Sequence, residues 1–138
     1  MGLILDTGLL IEAGRLGITV RQAIESWSER TAARELGLSV ISLAELGHGI
    51  ARADGQQRRA SRMRFVAALR EVFPVYPVDE IALRAVMIDG ELRGSGFDIG
   101  MGMMDALIAA TALERGDGVA TRNMRHFRLV PELEVVEL

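Results

Sequence analysis

Three acidic residues lie in apolar stretches of the sequence and could together form one site. Asp6 ends a short apolar run, Glu45 follows a second such run, and Asp105 lies among methionine, alanine and leucine residues. A carboxylate in apolar surroundings costs free energy unless it is paired or binds a cation. The chain has no lysine and no cysteine. Clustered carboxylates without a cation repel and raise each other's pKa, so the pattern favours a bound metal ion.

The donor set predicts which metal ion this would be. Oxygen ligands without thiolates are typical of a hard divalent ion, Mg²⁺ or Mn²⁺. Mg²⁺ held by carboxylates keeps several waters and takes phosphate oxygens as further ligands. The chemistry indicated is metal-assisted attack of water on a phosphodiester.

Each acid also has a purely structural interpretation, which the sequence alone leaves open. Asp6 could cap a helix that starts at Thr7. Ser42 and Glu45 fit a capping box, and Asp105 would suit the positive end of a helix. The sequence excludes two other classes of α/β protein with an acidic pocket. An Asp-x-Asp phosphatase needs an acid where this chain has Gly8, and a receiver domain needs a lysine.

Composition predicts one globular domain, residues 1–138, of 138 residues with a formal charge of −3. Apolar runs fall short of the about 18–20 residues of a membrane span, so we expect no membrane association. The first residues lack the basic region of a signal peptide, and together with the missing cysteines this favours a cytoplasmic protein.

Hydrophobic periodicity predicts short strands alternating with helices. The predicted strands cover residues 3–5, 38–41, 75–76, 119–121 and 133–136. The predicted helices cover residues 7–13, 20–35, 42–52, 57–72, 79–93 and 103–115, with a glycine-rich loop over 94–102. This alternation is typical of a parallel sheet covered by helices on both faces, whose site lies beyond the carboxyl ends of the strands.

Several polar residues stand beside the three acids in this arrangement. Thr7 and Thr121 could each support a carboxylate through a hydroxyl group. Arg122 and Arg125 follow the fourth strand and could hold a phosphate. His126 could act as a general base, although a lone histidine before a packing aromatic residue is more typical of a partly exposed structural position.

Four segments occur in order and together resemble one family. They read LILDT at 3–7, ISLAELGHGI at 41–50, DALIAATA at 105–112 and TRNMRHF at 121–127. The chain resembles the PIN domain, in particular the VapC-like toxins of toxin–antitoxin pairs. The resemblance implies a three-layer sandwich with a central, mostly parallel, twisted sheet of four or five short strands.

The resemblance also implies a function. It implies a Mg²⁺- or Mn²⁺-dependent endoribonuclease that forms a homodimer and is held inactive by a small VapB-like antitoxin. Asp6, Glu45 and Asp105 would bind the metal, and Asn123 would assist catalysis. Members of the family often carry a fourth acid at the position of Asn123 or of His126, which this chain lacks. The missing acid leaves a non-catalytic scaffold that binds a partner or RNA as an alternative. A DNA nuclease is a further alternative, because no residue indicates a preference for RNA over DNA.

Overall fold

The computed structural model describes residues 1–78, 84, 85, 87, 88, 90, 91 and 102–138. Five strands are described: β1 (Leu3–Leu5), β2 (Leu36–Ser39), β3 (Val75–Tyr76), β4 (Gly118–Thr121) and β5 (Val135–Glu137). The helices are α1 (Thr7–Leu16), α2 (Val20–Thr31), α3 (Val40–Ala51), α4 (Gln56–Val72), α5 (Met103–Arg115) and α6 (Met124–Phe127).

The strands form one sheet in the order β3-β2-β1-β4-β5, and every neighbouring pair is parallel. β1 lies at the centre, with Leu3 opposite Leu36 of β2 and Gly118 of β4. Parallel strands place all their carboxyl ends at one edge. The predicted parallel sheet flanked by helices is confirmed.

Side chains of β1 alternate between two hydrophobic clusters, one on each face of the sheet. Ile4 packs with Ile108 of α5 and Phe127 of α6, all fully buried. Leu3 and Leu5 pack on the opposite face with residues of α1, α2 and α4. The two clusters give the molecule its three layers and hold α5 and α1 against the central strand.

The segment around β2 differs from the prediction in register. The strand ends at Ser39, whose side chain accepts a hydrogen bond from the backbone of Ile41 and so caps α3. Gly37 lies inside this strand, two residues after the predicted end of the preceding helix at residue 35. A Cβ atom at Gly37 would come within 2.5 Å of the Tyr76 ring, so the close approach of β3 requires glycine here.

Helix α2 is shorter than its predicted range of 20–35. A capping box between Thr19 and Gln22 starts it. Ala32 and Ala33 then adopt positive φ angles of 51° and 56°, which ends the helix before β2. The apolar pattern did not carry this signal, because alanine rarely takes a left-handed conformation.

Two predicted elements lie largely outside the described residues, and one observed helix was not predicted. Most of the helix predicted over 79–93 and nearly all of the loop predicted over 94–102 lie outside the described residues. Helix α6, a single turn, was not predicted. Among the described residues, no helix is both long enough and apolar enough to span a membrane.

Candidate active site

The candidate site lies at the carboxyl edge of the sheet. Asp6 directly follows β1 and occupies the position before α1, where it is 7% exposed. Its carboxylate accepts a hydrogen bond from Thr121 Oγ1 at the end of β4, at 2.8 Å. Thr121 is itself fully buried and also accepts a hydrogen bond from the backbone of Asn123. The two central strands therefore meet at this carboxylate.

Burial raises the pKa of Asp6 above its ordinary value. The hydrogen bond from Thr121 lowers it, while the neighbouring charges of Asp105 and Glu45 raise it further. Two other acids thus lie within electrostatic reach of a buried one. The ionised group would be stabilised by a cation brought into this space.

Glu45 lies in the second turn of α3, half-buried, and its carboxylate accepts a hydrogen bond from Thr7 Oγ1 at 2.9 Å. Thr7 Oγ1 is also 2.9 Å from the hydroxyl oxygen of Ser42, which is fully buried. Burial raises the pKa of Glu45, and the charge of Asp105 adds to that increase. Helices α1 and α3 therefore join through the hydroxyl groups that hold this acid.

Asp105 lies in the first turn of α5 and approaches α6. Its Oδ2 atom is 2.6 Å from His126 Nδ1, and Asn123 Nδ2 is 3.3 Å from the same ring nitrogen. The side chains of Asp105 and His126 are 26% and 22% exposed. Asn123 thus lies beside the acid through His126, on the more exposed side of the site.

The structure tests whether the three acids serve only as helix caps, and the outcome differs among them. Ser39, not Ser42, caps α3, so Glu45 is not the third residue of a capping box. Asp6 occupies the cap position of α1, but its side chain forms no capping hydrogen bond there. Asp105 does lie in the first turn of a helix, as its structural interpretation requires. For Asp6 and Glu45 the structure favours a role beyond helix capping.

The two arginines predicted to contact phosphate, Arg122 and Arg125, are more exposed than the acids. Arg122 pairs with Glu12 of α1, which contributes to the raised pKa of its guanidinium. Arg125 is exposed on α6. Neither arginine pairs with an acid of the candidate site in the described structure. Both follow β4 at the carboxyl edge of the sheet.

The three acids do not form a closed metal cage. Among the described residues, no group of three histidine or acidic side chains lies close enough to hold an ion as it stands. The donor chemistry nevertheless fits a hard cation. Asp6 and Glu45 are carboxylates with raised pKa values, and within the described ranges neither forms an ion pair with an arginine.

Two contributors escaped the sequence prediction. Ser42 was considered only as a helix cap, and its burial against Thr7 was not expected. His126 was assigned a structural position beside Phe127, whereas the structure also places its ring against Asp105. The available signals were its place three residues after Asn123 and the family resemblance, in which this position often carries an acid.

A groove of about 760 Å³ runs from Glu45 between α1, α3 and α4. Its apolar lining includes Leu10, Ile11, Leu46 and Phe65, and its basic lining is Arg15, Arg58, Arg62 and Arg64. Glu45 is the single acid among these lining residues of the described structure. The groove is therefore apolar and positive, and it shares Glu45 with the candidate site.

Comparison with known proteins gives a consistent result. The PIN domain family model matches residues 3–133. The chain is 32% identical to Ribonuclease VapC of Rickettsia bellii, over 99% of this chain and 96% of that protein.

Two solved structures show the same fold. VapBC2 from Rickettsia felis, bound to a promoter DNA fragment, has a TM-score of 0.80 at 19% identity, covering 100% of this chain and 99% of that one. VapBC-5 from Mycobacterium tuberculosis, a member of the VapBC family of toxin–antitoxin systems, has a TM-score of 0.71 at 24% identity, with coverages of 99% and 98%. By family model, sequence and fold, this chain belongs to the PIN domain family, in its VapC group.

Proposed function

We propose that this protein is a metal-dependent endoribonuclease that acts as the toxin of a toxin–antitoxin pair. The observation that carries the proposal is the buried Asp6 carboxylate, whose pKa is raised by burial and by two neighbouring acids at the carboxyl edge of the sheet. Such an arrangement is unfavourable without a cation and is typical of a functional site. The similarity to a protein named Ribonuclease VapC supports RNA as the substrate.

Asp6, Glu45 and Asp105 would hold Mg²⁺ or Mn²⁺ in this proposal. When bound, the ion supplies Lewis acidity toward the phosphate and makes water a stronger nucleophile at neutral pH. Asn123 can contribute a carbonyl oxygen or orient a water molecule. With three carboxylates and no fourth acid, we expect the first metal ion to bind more tightly than a second.

The chain's own residues position the acids and the substrate. Thr121 holds Asp6 and Thr7 holds Glu45, each through one carboxylate oxygen. Arg122 and Arg125 lie beside the site and would contact the RNA backbone through their guanidinium groups. Arg122 would exchange its partner Glu12 for a phosphate oxygen.

The test is RNA cleavage by purified Asp105→Asn protein in Mg²⁺ or Mn²⁺, measured by gel electrophoresis. We expect cleavage to be lost while circular dichroism shows an intact fold. Asp54→Asn removes an exposed acid after α3 and is the matched control, which should cleave as the unmodified protein does. Retained cleavage in Asp105→Asn at saturating metal would contradict the proposal.

The second candidate is a non-catalytic scaffold that binds a partner or RNA. The absence of an acid at Asn123 and His126 favours it, as does the open arrangement of the three acids. Calorimetric titration with Mn²⁺ separates the candidates, because a scaffold would bind no metal at millimolar concentrations. Parallel cleavage assays on single-stranded RNA and DNA of the same sequence decide between a ribonuclease and a DNA nuclease.

We further infer that the groove beside Glu45 accepts an apolar, acidic segment of a VapB-like antitoxin. Its apolar lining and four arginines complement such a segment, and because Glu45 also lines the groove, the bound chain would lie beside the site. The resemblance also leads us to propose that the protein is cytoplasmic and forms a homodimer. Analytical ultracentrifugation of the purified protein measures the number of subunits.

The partner is tested by co-purification with the VapB-like protein encoded nearest to this gene. Charge reversal of Arg58 and Arg64 to glutamate should weaken the complex at least tenfold, because like charges at an interface cost several kcal/mol. Arg21→Glu, on the exposed face of α2, is the control. Unchanged affinity in the double variant would place the antitoxin elsewhere.

A further inference from the structure

In the part of the chain that the structure describes, each of the three site carboxylates contacts at least one polar side chain through one of its oxygen atoms. Thr121 donates to Asp6 Oδ2 at 2.8 Å and Thr7 donates to Glu45 Oε1 at 2.9 Å. His126 Nδ1 lies 2.6 Å from Asp105 Oδ2. The third contact is thus the counterpart of the two hydroxyl contacts, although the residue type differs.

We propose that His126 is a positioning residue that orients Asp105 for metal binding. The inference rests on the proposed function, because it gives Asp105 a metal to bind. It goes beyond that function by assigning a role to a histidine that stands where the family often has an acid. His126 then acts through Asp105 and does not itself touch the metal or the RNA.

The chemistry of the pair fixes the direction of the hydrogen bond. An ionised carboxylate can only accept, so the imidazole donates its Nδ1–H to Asp105 Oδ2. Within the described ranges no hydrogen bond engages the other carboxylate oxygen, Oδ1, which would be the atom offered to a cation. Hydrogen bonds of this kind fix the orientation of a ligating carboxylate and typically contribute a factor of about 10–100 to metal affinity.

The surroundings of His126 hold the ring in place. It lies on the single turn α6, immediately before Phe127, which is fully buried in the cluster beneath α5. The side chain is 22% exposed. Asn123 Nδ2 lies 3.3 Å from Nδ1 but forms no hydrogen bond with it while Nδ1–H donates to Asp105, so the buried Phe127 is what anchors the turn. A histidine anchored in this way can hold Asp105, which lies at the start of a different helix, at a fixed distance from β4.

The experiment measures Mn²⁺ binding by electron paramagnetic resonance in the full chain and four variants. His126→Ala removes the donor, whereas His126→Asn keeps an amide donor close to the position of Nδ1. His48→Ala removes the other histidine, which is exposed on α3, and is the matched control. Asp105→Asn reports the loss of the ligand itself. Circular dichroism and thermal unfolding show whether each variant is folded.

We expect His126→Ala to bind Mn²⁺ about 10–100-fold more weakly, His126→Asn to recover most of that affinity, and His48→Ala to match the unmodified protein. Equal or tighter binding by His126→Ala would overturn the inference while leaving the nuclease proposal intact. A directly coordinated imidazole nitrogen in the spin-echo spectrum would also overturn it. If the unmodified chain bound no Mn²⁺, both proposals would fail together.

Discussion

Acidic side chains at the two edges of the sheet have different kinds of partner. At the amino edge, Arg34 pairs with Glu134 at 2.6 Å and also donates to the backbone carbonyls of Met1 and Gly2. Asp117 accepts hydrogen bonds there from the backbone of Gly2 and from Arg115. At the carboxyl edge, the three site acids contact hydroxyl groups and an imidazole in place of guanidinium groups.

The pKa directions follow this difference. The hydrogen bond from Arg34 lowers the pKa of Glu134, whereas burial raises the pKa of Asp6 and of Glu45. The ionised Glu134 therefore stabilises the fold through its arginine partner. Burial of ionised Asp6 and Glu45 opposes folding in the absence of a cation, so the comparison separates a structural charge from charges suited to a ligand.

Exchanging Asp6 and Asp117 for asparagine in separate variants should give opposite results. Asp6→Asn should lower RNA cleavage by about three orders of magnitude, since metal-held transition-state charge is worth several kcal/mol. Asp117→Asn should leave cleavage unchanged but reduce stability by about 1–2 kcal/mol through its lost charge-assisted hydrogen bonds. Cleavage assays and urea unfolding measure the two effects.

The metal-free Asp6→Asn protein should be at least as stable as the unmodified one at neutral pH. Because the folded-state pKa of Asp6 is raised, the folded chain holds its proton more tightly, and the ionised group costs free energy above that pKa. A clear loss of stability in metal-free Asp6→Asn would break the comparison.

Added Mn²⁺ should stabilise the protein through the carboxyl edge alone. At a concentration one hundred times the Kd, the expected gain is about 2.7 kcal/mol, visible as a higher Tm in calorimetry. The gain should disappear in Glu45→Gln and persist in Glu134→Gln. An equal gain in both variants would mean that the ion binds at another place.

Removing one supporting hydroxyl should have a smaller effect. Thr121→Val leaves Asp6 without its side-chain donor, and we expect Mn²⁺ affinity and cleavage to fall about 10–100-fold. Thr31→Val is the matched control, because Thr31 is buried in α2 and its hydroxyl donates only to the carbonyl of Ser28. Similar losses in both variants would reduce the role of Thr121 to packing.

The smallest effect concerns the ion pair at the amino edge. Glu134→Gln should cost about 1 kcal/mol or less, because the pair is partly exposed. Since the folded-state pKa of Glu134 is lowered, its contribution is present above the unfolded pKa and is lost as pH falls through the folded value. Urea unfolding at neutral and acidic pH should therefore show a difference only at neutral pH.

Much of the fold could be predicted from the apolar runs. The positions of β1 and β3, the helix from Met103 to Arg115 and the parallel arrangement follow from local patterns that the tertiary structure does not override. The start of α3 was wrong by two residues. Two serines, Ser39 and Ser42, both precede helical residues, and only the position of the strand decides between them.

The site residues were predicted from chemistry and resemblance, and their roles remain predictions. Sequence spacing could indicate that Asp6 and Thr121 end neighbouring strands, since parallel strands align their carboxyl ends. It could not indicate the contact between Asp105 and His126, because that contact depends on the packing of a single helical turn against α5. Contacts of this kind have no periodic signal in the sequence.

The ring of Tyr76 lies between Gly37 of β2 and the guanidinium of Arg115, whose central carbon is 3.4 Å from the ring centre. It is the chain's single tyrosine, and Trp27 on α2 is its single tryptophan. The protein therefore carries two separate chromophores. Near-ultraviolet absorbance of the tyrosine would report whether the edge strand β3 stays paired with β2. Fluorescence of Trp27 would follow the helical layer of α1, α2 and α4 in the same unfolding experiment.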